Sequence, residues 1–468
     1  MLSTFYTFCI PRVPFFEVPK IREQKLLKII STSFLYMNKN MRKKPIGLWS
    51  ATAIGIGGMV GAGIFSILGT ACQIGGNAVY ISFIIAGILA LFSAYSYSKL
   101  GVRYPSAGGP VEFLLKGLGD NTISGGFNIL LWFGYVIAIS LYARAFAEYA
   151  VTFFPGYPPI LLNIFSTAIV LLFTFINFKG AKTMGESEFF IVLVKVGILI
   201  FFSIIGIFFI NPQNLSVAKW PSFGNIFFAT AVVFLAYEGF GLITNAAEDM
   251  DDPKKTLPRA LYLSVLIVIA LYVGVSLVVV GNLPIESIVK ARDYALAEAA
   301  KPFLGVLGFK IIALAALFST ASAINATLYG GANISYILAK YGELPGIINR
   351  KEWRRGVEGL FLTSGFVIVI SNLFDLSRIA MLGSASFLLI YTAVNVSHLK
   401  LRKETGAKLA PILLAIFGNL LVFTVLLYYL YLNYLPTLEF LILFIISSFL
   451  TEFTYRKLTQ RQIETRNP

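Results

Sequence analysis

The chain has very few of the residues on which soluble enzymes and secreted scaffolds depend. Among its 468 residues there is one histidine and there are two cysteines, and charged residues make up only 13%. Soluble domains carry about 25% charged residues, and Cys9 and Cys72 do not have the spacing of metal ligands. These shortages exclude a disulfide-rich scaffold, a disordered chain and most soluble enzymes, and they predict no metal site.

Long apolar runs are what the chain has instead. Hydrophobic residues make up 57%, and a helix needs about 20 apolar residues to cross a bilayer. Such runs recur along the chain, so we predict an all-α membrane protein with twelve transmembrane helices in the lipid bilayer. The predicted spans are 47–71, 77–100, 122–153, 160–178, 187–210, 223–248, 259–281, 303–339, 357–373, 378–399, 409–433 and 436–456.

The excess of positive charge indicates topology. The formal net charge is +15, and lysine and arginine cluster in alternate loops. The loops at 152–160, 211–222 and 433–436 hold almost none. This is the positive-inside pattern. It predicts that both termini are cytoplasmic, and it argues against a nucleic-acid partner.

The two ends of the chain differ from the region between them. Residues 1–42 contain no apolar run of spanning length and do not have the order of a signal peptide. We interpret 1–42 as an N-terminal extension that is either disordered or translated from a start codon assigned upstream of Met41. The membrane domain is then 43–456, followed by a cytoplasmic tail at 457–468.

The first span contains an interruption. Five glycines fall between Gly55 and Gly63, and each costs about 1 kcal/mol relative to alanine in a helix. Close helix packing accounts for Gly57 and Gly61, but the density favours an unwound stretch. Unwound backbone at membrane depth is tolerated where it lines a cavity or is buried in protein.

The sixth span contains a second interruption. Glu238 is followed by Gly239 and Gly241 in the middle of an apolar helix, and an intramembrane acid marks a candidate functional site. Broken helices at matching positions of two halves are typical of a transporter binding site. The half-helix after Gly61 offers free N–H groups to a carboxylate. Free carbonyls in span 6 suit an ammonium group, so a zwitterionic amino acid satisfies both.

These motifs carry a family resemblance. From about residue 43 to its end, the chain resembles the amino acid–polyamine–organocation superfamily and, within it, an archaeal proton-coupled amino-acid transporter with a lysine in span 5. The resemblance implies a LeuT-type fold, with a 5+5 inverted repeat followed by two C-terminal helices. It rests on the segments Gly61-Ala62-Gly63-Ile64-Phe65, 104–110, Phe234 to Phe240, Ala247-Glu248, Pro253 and Pro258-Arg259-Ala260.

The resemblance also implies a function and its residues. The function is secondary active transport of amino acids across the plasma membrane by alternating access, with the proton as coupling ion, no other cofactor and no enzymatic activity. Main-chain N–H groups of Gly61, Ala62 and Gly63 would hold the substrate carboxylate. Carbonyls near Met59, Leu235, Ala236 and Glu238 would hold its amine, and Phe234 and Tyr237 would form walls or a gate.

Lys195 lies in the middle of span 5, too far from either end to reach an interface easily. The resemblance implies that its ammonium occupies the place of a sodium ion in sodium-coupled relatives. Its expected partners are the Gly57 carbonyl and the Ser319 hydroxyl. Because burial disfavours the charged form, we expect Lys195 to gain and lose a proton at ordinary pH.

Four other polar residues require an explanation: Glu238, for which two explanations stay open, and Arg144, Glu148 and His398, for which we favour a structural one. Glu238 is either a counter-charge for cationic substrates or an acceptor that caps N–H groups of the unwound turn. Arg144 and Glu148 form an i,i+4 pair with a structural role. We interpret His398 as an interfacial histidine at the inner end of span 10.

Two rival functions stay open at the level of sequence. One is an exchanger of amino acids or polyamines without proton coupling, and the other is a channel. A channel would show a filter motif, and a membrane enzyme would show a nucleophile–base or metal cluster; the sequence has neither. No residue pattern assigns an oligomeric state or a particular amino acid.

Overall fold

The computed structural model of the chain describes residues 46–61, 63–106, 108–179, 184–340, 342–344 and 357–460. The predicted extension at 1–42, most of the predicted tail and the predicted site residue Ala62 lie outside these ranges. The described part is almost entirely helical, and its β-structure consists of a single bridge between Ile46 and Met250. The all-α prediction is therefore confirmed.

The α-helices are numbered here in chain order. They are α1 Leu48–Met59, α2 Leu68–Gly75, α3 Val79–Arg103, α4 Pro110–Leu118, α5 Thr122–Val151, α6 Ile160–Lys179, α7 Met184–Ile207, α8 Phe223–Val233, α9 Pro253–Asn282, α10 Ile285–Ala291, α11 Ala295–Glu298, α12 Lys301–Lys340, α13 Val357–Leu373, α14 Leu376–Lys400, α15 Arg402–Thr405, α16 Leu409–Asn433 and α17 Leu435–Thr459.

Many of these helices have the length and composition of membrane spans. In the described ranges, 10 helical stretches are long and apolar enough to cross a bilayer, and the first, Leu48–Arg103, holds α1, α2 and α3 together. A shorter apolar helix covers Glu358–Leu373. The helices fall on the predicted spans, while the number twelve stays a prediction.

The helices divide into an outer set and an inner set. Large apolar side chains point outward from α7, α12 and α17, for example Phe190 at 65%, Phe318 at 71% and Leu443 at 65% exposure. By contrast, α5 and α14 are almost fully buried. An apolar exterior is what lipid requires, so the outer helices face the lipid, whereas α5 and α14 lie at the centre of the bundle.

The first predicted interruption is a true break. Helix α1 ends at Met59 because Val60 leaves the helical region, with φ −82° and ψ 66°. The Gly61 N–H then donates to the Met59 carbonyl at 2.9 Å. The chain resumes as a π-helical turn at Gly63–Ile67 and continues as α2. Such π turns are rare and are frequently found at functional sites.

The second predicted interruption has a different form from the one expected. After α8, the 16 residues Phe234–Asp249 wind as a 3₁₀ helix and are not unwound. A 3₁₀ helix still pairs each N–H with a carbonyl three residues back, so it leaves fewer backbone groups without partners at membrane depth. Runs beyond three or four residues are uncommon, so this segment, called the 3₁₀ segment below, is a distinctive feature.

Candidate functional site

The two interrupted helices meet at glycines. A Cβ on Gly239 would lie 2.1 Å from the carbonyl carbon of Gly58 and 2.5 Å from the Met59 nitrogen. A Cβ on Gly63 would lie 2.8 Å from the Cβ of Ala236. Only glycine permits such an approach of two backbones. The end of α1 and the 3₁₀ segment therefore pack in direct contact on both sides of the break.

The last carbonyls of α1 are bound by side chains from three other helices. Lys195 Nζ of α7 donates to the Gly57 carbonyl at 3.0 Å. The Tyr272 hydroxyl of α9 donates to the Met59 carbonyl at 2.6 Å. The Ser319 hydroxyl of α12 donates to the Val60 carbonyl at 2.9 Å. The final carbonyls of a helix have no intrahelical partner and form the negative end of its dipole, so these three side chains supply the hydrogen bonds that the buried break needs.

Lys195 is 2% exposed and lies beside the break. The structure places its ammonium on the Gly57 carbonyl, the first of its two expected partners. The second expected partner, Ser319, donates to Val60. An ammonium on a carbonyl forms a charge-assisted bond, so the protonated lysine ties α7 to α1.

Tyr272 is a site residue that the sequence reasoning missed. Its hydroxyl donates to the Met59 carbonyl and, at 3.1 Å, to the Ala236 carbonyl. A hydroxyl carries one hydrogen, so the two carbonyls share it. Both carbonyls were predicted to hold the substrate amine. The chain has 23 tyrosines, and no feature of the sequence marks this one out.

The predicted carboxylate site lies on the other side of the break. A Cβ on Gly61 would lie 3.0 Å from the Cβ of Ala323 and 3.3 Å from Cε1 of Tyr142. The Gly61 N–H is engaged by Met59, whereas Gly63 opens the helical run that continues into α2. The positive end of that run is the part of the break suited to an anion.

Glu238 lies within the 3₁₀ segment and is 5% exposed. Its carboxylate interacts electrostatically with the hydroxyl groups of four tyrosines from α3, α5 and α14: Tyr97, Tyr135, Tyr142 and Tyr391. Within the described ranges, no basic side chain pairs with this carboxylate and no backbone N–H donates to it. The capping explanation of Glu238 requires such an N–H bond.

The other predicted wall residues point away from one another. The Phe234 ring packs edge-on against Tyr391, with centroids 5.8 Å apart, and so borders the tyrosines around Glu238. The Tyr237 hydroxyl donates to the Phe83 carbonyl of α3 at 2.9 Å. Leu235 packs against Gly383 of α14. Phe234 therefore lies near the acid, while Tyr237 anchors the 3₁₀ segment to α3.

Two further predictions concern polar residues outside the break: the pair of Arg144 and Glu148, and His398. Arg144 Nε lies 3.0 Å from Glu148 Oε1, in agreement with a structural pair. The interfacial interpretation of His398 is wrong, since the residue is fully buried. Its Nδ1 lies 2.9 Å from Ser96 Oγ and its Nε2 lies 3.0 Å from Thr405 Oγ1. Two hydroxyl partners satisfy the ring and remove the need for water.

A bundle of apolar helices with a buried polar break between two of them is the architecture of a membrane transport protein. The sequence profile of the amino acid permease family matches residues 46–450. The chain therefore belongs to the amino acid permease family, within the amino acid–polyamine–organocation superfamily, and it is a multi-pass membrane transporter and not an enzyme. The resemblance described from the motifs is confirmed.

Three relatives illustrate the family. The chain is 44% identical to an uncharacterized protein of Methanocaldococcus jannaschii over 90% of this chain and 97% of that protein. It is 35% identical to the inner membrane transport protein YbaT of Escherichia coli, over 84% of this chain and 91% of that one. It is 27% identical to a methylthioribose transporter of Bacillus subtilis, over 79% and 87%.

Proposed function

We propose that the chain is a secondary active transporter of amino acids that works by alternating access and is driven by protons. The observation that carries this proposal is the set of three side chains that donate hydrogen bonds to backbone carbonyls at the end of α1. Lys195, Tyr272 and Ser319 come from three different helices. A substrate that competes for the same carbonyls would change how those helices are held together.

The proposed architecture is the LeuT-type fold with twelve transmembrane helices, a 5+5 inverted repeat and two C-terminal helices. The first and sixth spans each depart from α-helical winding, at Val60 and at Phe234, which supports two related halves that each open on a modified helix. The distribution of lysine and arginine supports cytoplasmic termini in a plasma membrane.

The substrate amine is proposed to bind the carbonyls of Met59 and Ala236. In the present conformation Tyr272 satisfies both, and an ammonium group, with three N–H donors, is a stronger partner for them. The substrate carboxylate is proposed to bind at the N-terminal end of the helical run that begins at Gly63. The contact between Gly63 and Ala236 brings these two parts of the site together.

Proton coupling is proposed to act through Lys195. The protonated amine holds the Gly57 carbonyl, and the neutral amine loses that charge-assisted bond. Met59, two residues further along α1, is a proposed substrate contact. The proton and the substrate thus bias the same element, which is what coupling between two sites requires.

Glu238 is proposed to select the substrate side chain. An acid in the membrane without a basic partner is costly, and a cationic side chain would neutralise it. The aromatic faces around it also favour a cation. Tyr142 connects the two regions, because it contacts Gly61 and interacts electrostatically with Glu238.

The test is uptake of labelled amino acids into proteoliposomes that contain the purified protein. The proteoliposomes should accumulate substrate above equilibrium when an inward proton gradient is imposed. Replacing sodium by choline should not reduce this accumulation. Accelerated counterflow of labelled substrate would exclude a channel. Counterflow without gradient-driven accumulation would identify an exchanger and overturn proton coupling.

A further inference from the structure

A basic cavity outside the transport site lies between α3, α9 and α15. Its volume is about 440 Å³. Three of its lining residues are cations, Lys99 and Arg103 at the end of α3 and Lys254 at the start of α9. In the described part of the chain, no carboxylate lies within ion-pair distance of these three side chains. The cavity therefore gathers three positive charges, none of which is held in a direct ion pair within the described ranges.

One carboxylate lines the cavity, and it is already engaged. Glu404 of α15 accepts a hydrogen bond from the Tyr104 hydroxyl at 2.5 Å. Burial, together with the Glu404 carboxylate, raises the pKa of Tyr104 to about 12, so the phenol keeps its proton at ordinary pH and can donate this bond. The cations outnumber the acid, so the cavity favours an anion.

The rest of the lining combines hydroxyl groups with apolar surface. Ser98 and Tyr262 supply hydroxyl groups, and Val102 and Pro258 add apolar atoms. Both α3 and α9 continue from this point into the apolar bundle. A ligand in the cavity thus meets charge at the helix ends and carbon beside it, as a lipid does at a membrane surface.

We propose that this cavity binds a phosphate group, and that the phosphate belongs to the headgroup of an anionic phospholipid. Lysine and arginine form charge-assisted bonds to phosphate oxygens. Basic pockets between membrane helices on the cytoplasmic side are suited to phospholipid headgroups. A bound headgroup would link α3, α9 and α15 across a surface on which their cations otherwise repel one another.

The experiment compares thermal stability of the full-length protein in detergent, with phosphatidylglycerol, phosphatidylcholine or inorganic phosphate added. The test variant is Lys99→Gln/Arg103→Gln/Lys254→Gln. The matched control is Lys340→Gln/Lys400→Gln/Lys457→Gln, which removes the same charge from exposed positions on other helices. Native mass spectrometry of retained lipid provides a second readout that does not depend on the melting curve. If the triple variant folds poorly, the single variant Lys254→Gln is measured in its place.

Phosphatidylglycerol should stabilise the parent and the control. The test variant should need about tenfold or more lipid for the same effect, because it has lost the charge-assisted bonds to the phosphate. If inorganic phosphate stabilises the protein and phosphatidylglycerol does not, the cavity binds phosphate from a soluble ligand, and the assignment to a lipid is overturned. Equal responses of the test and control variants, or equal responses to phosphatidylcholine, would overturn the proposal.

Discussion

At the scale of single residues, Tyr272 has the most unusual position. One hydroxyl stands where the α1 terminus and the 3₁₀ segment both present carbonyls. If the substrate amine binds these carbonyls, the phenol must release them first. Tyr272 then stabilises the empty site and competes with the substrate.

Replacing Tyr272 by phenylalanine tests this competition. We expect Tyr272→Phe to bind amino acids about two- to tenfold more tightly, because a competing hydrogen bond of about 0.5–1.5 kcal/mol is lost. Thermal stability should fall, because the Met59 carbonyl loses a donor. The measurement is equilibrium binding of labelled substrate.

Tyr237→Phe is the matched control, since the Tyr237 hydroxyl donates to the Phe83 carbonyl. This variant should lower stability without tightening substrate binding. Weaker binding by Tyr272→Phe would mean that the hydroxyl contacts the substrate directly.

The proposed role of Glu238 is to set the charge of the pocket that receives the substrate side chain. For Glu238→Gln we expect transport efficiency for arginine and lysine to fall about tenfold or more, as expected for loss of a desolvated charge pair, while alanine transport changes little. Citrulline, which has the shape of arginine without its charge, should respond like alanine. Glu238→Asp should restore part of the arginine transport. A uniform loss across all these substrates would favour a structural role for the acid.

At the scale of elements, the contact between α1 and the 3₁₀ segment depends on the absence of side chains. Gly239→Ala inserts a methyl group against the backbone of Gly58, which we expect to destabilise the protein by about 1–3 kcal/mol and to abolish substrate binding. Gly330→Ala in α12 is the control, because no heavy atom lies within 4 Å of its added Cβ, and it should be neutral or stabilising. Melting temperature and substrate binding measure both effects. Normal binding by Gly239→Ala would show that the two helices do not need this contact.

The elements also show which features a sequence can predict. Spans are local properties, because bilayer thickness sets the length of an apolar run, and the glycines before Gly63 predicted the break in α1. The winding of the 3₁₀ segment depends on neighbours, and its sequence predicted only that the α-helix would be disturbed. The hydroxyl that binds the Met59 carbonyl belongs to Tyr272, which lies 213 residues away in the sequence. The residues around Tyr272 contain no motif that marks it as part of a site. The burial of His398 likewise depends on Ser96 and Thr405, which only the packed bundle brings together.

At the scale of the whole molecule, the proposed proton coupling predicts how transport depends on pH and on the ions present. We expect uptake to rise as external pH falls, since a protonated Lys195 is required to hold Gly57, and to persist when choline replaces sodium. Lys195→Ala should lose proton-driven accumulation, and Lys195→Arg should fail as well because its charge is fixed. Lys301→Ala, at a partly exposed lysine paired with Glu298, serves as a control. Sodium-dependent uptake, or an unchanged pH response in Lys195→Ala, would contradict this role.

The 3₁₀ segment has a consequence for the distance over which the molecule can move. Sixteen residues wound as a 3₁₀ helix extend about 32 Å, whereas the same residues wound as an α-helix extend about 24 Å. Each residue that changes winding shortens the run by about 0.5 Å and keeps a backbone hydrogen bond throughout. Spin labels placed near Phe234 and Asp249 would report such a change as a shorter distance. A change of the whole segment to α-helical winding would therefore draw its far end in by about 8 Å, so this membrane helix would change its length and not its tilt.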